Sequence, residues 1–229
     1  MPKIFSIESS TKVCSVAIHD GEELLGSQIY HLEHSHSSLL PEIVKQLLTN
    51  CNLELQDIDA IAISIGPGSY TGLRIGVSTA KGLAFVSNIP LIGINTLEVM
   101  CEGVQIEMLS NETLLCPMID ARRMEVYCLV QNMERKLLWD TKPLIVEADS
   151  FSEFAQAPVL FFGNGAEKCQ AVLNGPNHHY LNNLHPDAKN MGRLAFHRFE
   201  NNDFEDLAYL EPNYLKAFRT NKPAAKFKV

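Results

Sequence analysis

The 229-residue sequence contains no apolar run that approaches the about 20 residues a helix needs to cross a bilayer. Residues Met1 to Ile7 lead directly into a strand pattern, without the charged and apolar segments of a secretory signal peptide. Both absences predict a cytoplasmic protein without membrane contact. The length suffices for a substantial core, in one large domain or in two of about 110 residues each.

Metal-binding and disulfide patterns are also lacking. The six cysteines form no Cys-x-x-Cys pair and mostly have apolar neighbours, so we predict buried thiols rather than a disulfide framework or a zinc site. His31, His34 and His36 lie close together, but only Glu33 could support them as a ligand. We therefore predict a solvated corner there and no metal. The cysteines are Cys14, Cys51, Cys101, Cys116, Cys128 and Cys169.

Positive charge is scarce, because the formal net charge is −8. This balance argues against a broad surface for nucleic acid, which normally requires a basic face. A basic tail after Glu211 is an exception, and we interpret it as a solvated, frayed terminus. Asp120–Glu125 forms a second charged segment, in which Arg122 and Arg123 either clamp an anion or belong to a solvated hairpin corner. The basic residues of the tail are Lys216, Arg219, Lys222, Lys226 and Lys228.

The glycine-rich segment from Gly66 to Gly76 joins a predicted strand to a predicted helix. It lacks the lysine of a Walker A loop and the third glycine of the dinucleotide fingerprint, which leaves only a relaxed phosphate-binding role open. Gly72, Gly76 and Ala80 are spaced four apart. A glycine inside a helix costs about 1 kcal/mol relative to alanine, so these positions predict a close contact. We expect another helix, from this chain or a partner, to make it.

The order of predicted elements suggests a duplication. The same order of elements occurs twice in outline: three strands, a helix, a strand and a helix. This repeat predicts an α/β fold with mixed sheets covered by helices. This is the actin-like (ASKHA) architecture of two ribonuclease H-type lobes, and we place them at residues 1–95 and 96–229. Predicted strands are 3–7, 13–18, 24–30, 60–65, 91–94, 114–119, 125–130, 136–139 and 159–162; predicted helices are 39–48, 72–86, 96–109 and 189–199, with shorter ones near 151–155 and ending near 171.

The turn between the first two strands is the strongest chemical candidate. Actin-like ATPases hold phosphate there, and this sequence offers Glu8 followed by the hydroxyls of Ser9, Ser10 and Thr11. These groups contact either a phosphate or only each other in a polar turn. Ser69 does not sit in a Gly-x-Ser-x-Gly elbow, so a serine hydrolase is not indicated.

Five sequence motifs stand out together: Ile7–Thr11, Gly66–Gly76, Lys81–Phe85, Asp120–Tyr127 and Glu211–Lys216. Together they closely resemble the TsaB (YeaZ) family, accessory subunits of the bacterial tRNA threonylcarbamoyladenosine machinery. The resemblance implies an actin-like fold and two partners, the catalytic subunit TsaD and the ATPase TsaE. TsaD carries a His-x-x-x-His metal motif, and registering the two families on Gly66 places those ligands at Thr96 and Met100, which are not credible ligands.

The resemblance further implies a non-catalytic scaffold, a pseudo-enzyme that stabilises TsaD during threonylcarbamoyl transfer to tRNA adenosine. It implies no cofactor of the chain's own, with ATP or ADP conceivable at the subunit boundary, a homodimer when alone, and only indirect contact with tRNA. A stand-alone nucleotide-hydrolysing or glycoprotease-like enzyme is the alternative. The predicted partner interface comprises Leu39, Leu40, Ile43, Leu47, Gly72, Leu73, Gly76 and Ala80.

Overall fold

The computed structural model describes residues 1–31, 36–105 and 109–216. Their strands form two five-stranded sheets with helices against them. The first sheet contains β1 (Lys3–Glu8), β2 (Cys14–Asp20), β3 (Glu23–Tyr30), β4 (Ala60–Gly66) and β5 (Leu91–Asn95). The second contains β6 (Leu114–Asp120), β7 (Glu125–Gln131), β8 (Leu137–Ile145), β9 (Val159–Phe162) and β10 (His178–Leu181). The α-helices are α1 (His36–Asn50), α2 (Tyr70–Ser87), α3 (Thr96–Glu102), α4 (Ala166–Cys169) and α5 (Gly192–Glu200).

The two sheets have the same topology. The first runs β3-β2-β1-β4-β5 and the second runs β8-β7-β6-β9-β10. In each, the first three strands pair antiparallel, the fourth pairs in parallel with the central strand, and the fifth pairs in parallel with the fourth. This confirms the predicted duplicated α/β architecture, with two mixed sheets covered by helices.

Both faces of the first sheet are buried. Phe5 and Ile7 of β1 point toward α1 and α2, while Ile4 points toward α5 and a 3₁₀ turn at Ala188–Met191. Alternating side chains of a strand face opposite sides of the sheet, so near-continuous burial of β1 follows from cover on both faces. In the second sheet, α3 lies against Leu115 and Leu129, between the two sheets. The sheets therefore share α3 as a common packing element.

The helices of the second half are shorter than predicted. The segment near 151–155 contains only a 3₁₀ turn, Ser152–Phe154, and α4 has four residues. Helix α3 was expected to reach Leu109 but ends at Glu102, and residues 106–108 of that prediction lie outside the described residues. Gly103 follows at the helix end, where a Cβ atom would lie 2.7 Å from Nδ2 of Asn190. Strand β10 was not predicted, because four residues with two histidines give no clear alternation.

Residues after α5 return to the first sheet as the C-terminal strap (Glu205–Lys216), a segment with a turn at 207–209. The Glu205 amide donates to the carbonyl of Leu91 at 2.8 Å, and the Asn213 amide donates to the carbonyl of Ile65 at 2.7 Å. Between them, Lys81 Nζ donates to the carbonyls of Ala208 and Leu210, both at 3.1 Å. The strap thus crosses the first sheet from β5 to the end of β4.

Candidate functional site

The turn after β1 packs directly on the start of α2. The Ser69 amide donates to the carbonyl of Ser10 at 2.6 Å, and the Ser9 hydroxyl donates to the carbonyl of Gly72 at 2.9 Å. Ser69 also begins the helix, because its Oγ accepts a hydrogen bond from the Gly72 amide at 3.2 Å. These bonds connect the two motifs that the sequence singled out.

This contact explains the glycine spacing of α2. A Cβ atom at Gly72 would lie 2.1 Å from the carbonyl oxygen of Ser9, and one at Gly76 would lie 2.1 Å from the Ser9 hydroxyl. At Gly68 it would lie 2.3 Å from the carbonyl oxygen of Ser10. The expectation that a second helix approaches these glycines is therefore wrong, since the first turn of the same chain occupies that space. A turn can approach more closely than a helix because it carries no cylinder of side chains.

Glu8, at the end of β1, is completely buried. Its Oε1 accepts a hydrogen bond from the Ser10 amide at 2.6 Å, whereas Oε2 has no partner among the described residues. Burial raises the pKa of the Glu8 carboxyl, and hydrogen bonds from Ser10 oppose the rise. Desolvation penalises the charged form, so this carboxyl retains its proton to a higher pH than an exposed glutamate.

The predicted phosphate-contact residues are turned into the protein. Glu8, Ser9 and Ser10 are fully buried and Thr11 is buried as well. The amide of Ser10 is engaged by Glu8, and the amide of Val13 donates to Thr11 Oγ1 at 3.2 Å. A phosphate would have to displace these internal bonds. The turn as folded does not fit a nucleotide, and ATP or ADP at a subunit boundary stays a prediction.

We expect Glu8→Gln to stabilise the chain increasingly as pH rises. A carboxyl whose pKa is raised by folding stabilises the folded chain fully at pH values below its pKa in the unfolded chain, near 4.5. This stabilisation is lost as pH rises through the pKa in the folded chain. Glutamine keeps the acceptor for Ser10 and never ionises. Denaturant midpoints across that pH range measure the effect, with Glu42→Gln on the exposed face of α1 as control. A loss of stability that grew as pH rises would instead show that the ionised carboxylate stabilises the fold.

The positions that correspond to the catalytic metal ligands lie in the core. Thr96 and Met100 are fully buried on α3, and Met100 packs with Leu97 against the second sheet. A Cβ atom added at Gly163 would lie 2.5 Å from Cε of Met100, so the Met100 side chain packs closely against this glycine. A thioether packed in this way and an inward hydroxyl do not form a hard-metal site.

Two of the histidines predicted to form a solvated corner, His31 and His36, have different surroundings in the structure. His36 is buried, with Nε2 3.4 Å from the carbonyl oxygen of Val13, and His31 packs edge-on against His185 with ring centroids 5.5 Å apart. His34 and Glu33 lie outside the described residues. Across the described part of the chain, no three His, Cys, Asp or Glu side chains are grouped to hold a metal ion. All six cysteines are free thiols, and all but Cys51 are buried.

Most of the predicted interface residues belong to the chain's own core. Leu39 is half-buried, and the other seven are buried residues of α1 and α2 themselves. Their side chains are therefore not available to a partner, which corrects the residue assignment. Their periodicity indicated a buried face but not which chain covers it. The seven are Leu40, Ile43, Leu47, Gly72, Leu73, Gly76 and Ala80.

The outward face of α2 is the surface that a partner could reach. Phe85 and Val86 are 75% and 78% exposed, which is unusual for large apolar side chains on one helix. Gly82 precedes them by one turn, and a Cβ atom there would meet nothing within 4 Å. Intramolecular packing thus explains Gly72 and Gly76 but not Gly82. Tyr209, 83% exposed, lies in the strap between the two carbonyls held by Lys81.

The strap was not identified as part of any site from the sequence. Tyr214 packs on Tyr70 with ring centroids 5.1 Å apart, and its hydroxyl accepts a hydrogen bond from Arg74 Nε at 3.0 Å. Lys216 then pairs with Glu125 of the second sheet. The only signal in the sequence was the Glu211–Lys216 motif, whose spacing indicates no contact with α2.

Two sheets of identical topology, joined through α3, with the first turn packed on a glycine-rich helix, define a two-lobed actin-like protein. A family model for tRNA N6-adenosine threonylcarbamoyltransferase (TsaD) matches residues 29–209. The chain belongs to this family, and within it to the TsaB (YeaZ) group that its curated relatives represent. No described helix is both long and apolar enough to span a bilayer.

The relatives support this grouping over much of the chain. The tRNA threonylcarbamoyladenosine biosynthesis protein TsaB of Escherichia coli (strain K12) is 36% identical over 138 residues, 60% of this chain and 58% of that protein. Its counterpart in Bacillus subtilis (strain 168) is 30% identical over 165 residues, 70% of each chain. The solved structure of YeaZ from Pseudomonas aeruginosa superposes with a TM-score of 0.82 at 24% identity, covering 94% of this chain and all of that one. The match to the first of these spans less than two thirds of that relative.

Proposed function

We propose that the chain is a non-catalytic subunit that binds and stabilises a TsaD-type threonylcarbamoyltransferase acting on tRNA adenosine. The observation that carries the proposal is the exposed apolar end of α2 at Phe85 and Val86. A helix face of this kind, next to an uncovered glycine, suits close packing against a helix of another subunit. The curated relatives, named as biosynthesis proteins of this tRNA modification, support the same pathway.

The absence of a catalytic role is part of the proposal. Thr96 and Met100 stand where the catalytic family has its metal-binding histidines, and both are core residues. Glu8, the carboxyl nearest to the first turn, is buried and bonded to Ser10. A general base must reach its substrate, which this carboxyl does not do in the folded chain. The fold is thus used as a scaffold, and the alternative of a stand-alone hydrolase loses its principal residue.

The proposed interface is the outward face of α2. Ser78, Gly82 and Val86 lie at successive four-residue intervals, so they form one line on the helix, with Phe85 beside it. The small residues allow a partner helix to approach closely, and the apolar ones supply area to bury. Without TsaD, the same face is proposed to form a homodimer, while TsaE joins the assembled complex.

Size-exclusion chromatography with light scattering tests this proposal directly. The chain is measured alone, mixed with TsaD of the same organism, and mixed again with ATP and TsaE. We expect a homodimer alone and a heterocomplex with TsaD. Separate elution under all conditions would refute the scaffold role. Turnover of ATP or a peptide by the chain alone, abolished by Glu8→Gln, would instead establish the hydrolase alternative.

A further inference from the structure

The corner between β6 and β7 places two adjacent arginines in an unfavourable backbone conformation. Arg122 and Arg123 have φ angles of 72° and 51°, in the left-handed region that residues with a Cβ atom rarely occupy. The Arg122 amide donates to Asp120 Oδ1 at 2.9 Å, and the Glu125 amide donates to the carbonyl of Arg122 at 3.2 Å. Glycine or asparagine would adopt these positive φ angles at a lower cost in conformational free energy. Arginine at both positions therefore suggests a use for the side chains.

The charge of this corner is opposite to that of the whole chain. Its two carboxylates are already paired, since Asp120 contacts Lys168 and Glu125 contacts Lys216. Both arginines are exposed, and neither side chain makes a hydrogen bond or an ion pair within the described residues. Four cations thus surround two carboxylates on a chain with net charge −8. The excess positive charge is local and directed to solvent.

The strap connects this corner to a further cation on α2, Arg74, beside which Glu211 of the strap also lies. Lys216 lies over the ring of Tyr127, with Nζ 5.6 Å from the ring centroid. Two residues earlier, Tyr214 bonds Arg74, whose guanidinium carbon lies 4.1 Å from the ring centroid of Tyr70. Arg74 is exposed, and its side chain lies against these two tyrosines. Two residues of extended chain span at most about 7 Å, so Tyr214 and Lys216 lie close together on the strap. The cations that they bring, Arg74 and Lys216, therefore lie on one continuous surface.

We infer that Arg122 and Arg123, continued by Lys216 and Arg74, contact the phosphodiester backbone of an RNA. Several cations in succession match phosphates repeated along a strand, and guanidinium groups bind phosphate oxygens in pairs. The net charge of −8 disfavours a broad RNA surface, but it does not oppose a short contact of this kind. That the RNA is a tRNA rests on the proposed function. The corner would then help to hold the substrate beside the catalytic partner.

The test measures fluorescence anisotropy of labelled tRNA with the chain, alone and with TsaD, across a salt series. The variant Arg122→Glu/Arg123→Glu is expected to weaken binding at least about tenfold and to lower the salt slope by about 2, one for each arginine–phosphate pair that the variant removes. Lys136→Glu is the matched control, because Lys136 is exposed at the opposite end of β7. It should bind tRNA within about twofold of the unchanged chain.

A second variant, Arg122→Gly/Arg123→Gly, removes the charges while suiting the positive φ angles, so it separates loss of binding from loss of folding. It should weaken tRNA binding while its thermal midpoint stays equal or rises. Unchanged affinity and salt slope in both double variants would overturn the inference. Binding of ATP or inorganic phosphate at this corner, with no tRNA binding, would replace the RNA by a small anion. Light scattering with TsaD is recorded for each variant, so failure of the heterocomplex is seen separately.

Discussion

Replacing Gly72 with alanine is expected to destabilise the chain by about 3 kcal/mol, the upper range for inserting one methyl group into a packed site. The added Cβ would lie 2.1 Å from the carbonyl oxygen of Ser9, which is backbone and cannot rotate away. Either the first turn or the start of α2 must move. Movement of the turn would also disturb the hydrogen bonds from Ser9 to Gly72 and from Ser69 to Ser10.

Gly82→Ala is the matched control, on the same helix and with the same added atom. Its Cβ would meet nothing within 4 Å, so only helix propensity changes, and we expect a gain of about 1 kcal/mol. Urea denaturation of both variants gives the difference. Similar stabilities of the two variants would contradict the close packing of the first turn on α2. A bulky residue at Gly76 is likewise expected to disrupt folding, so it is unsuitable for testing partner binding.

The duplicated fold could be predicted because its signals are local. The patterns that predict strands and helices each act over a few residues, and the repeated order of elements along the chain followed from them. Strand β10 and the short α3 could not be predicted in the same way. His178–Leu181 becomes a strand by pairing in parallel with β9, and α3 ends where Gly103 meets Asn190.

The candidate site was predicted less well, for a physical reason. The spacing of Gly72 and Gly76 shows that something approaches closely, but a spacing carries no information about the approaching group. Here it is the turn around Ser9, about sixty positions earlier in the chain. Similarly, amphipathic periodicity identifies a buried face, and Leu40 and Leu73 proved to be covered by their own lobe. Partner surfaces are instead indicated by what the fold leaves uncovered, which requires coordinates.

The second large effect is expected on the affinity for TsaD, from substitutions at the exposed end of α2. Phe85→Lys/Val86→Lys is expected to weaken binding to TsaD at least about 100-fold, because truncating central interface residues commonly costs about 2 kcal/mol or more and each 1.4 kcal/mol is about tenfold. Folding should be unaffected, since both side chains are exposed and cations are favourable near a helix C-terminus. Binding is measured by titration calorimetry, with equal thermal midpoints as the requirement for comparison.

Ile145→Lys is the control for this pair, because Ile145 is an equally apolar residue, 65% exposed, on β8 of the second sheet. It changes charge and exposed apolar area in the same direction but lies far along the chain from α2. If it weakened TsaD binding as much as the α2 variant, the effect would come from charge alone. If the α2 variant bound TsaD with unchanged affinity, the interface would have to lie elsewhere, and Gly82 would have no role in it. Selective loss with the α2 variant would therefore explain both the exposed Phe85 and Val86 and the glycine that the chain's own packing does not require.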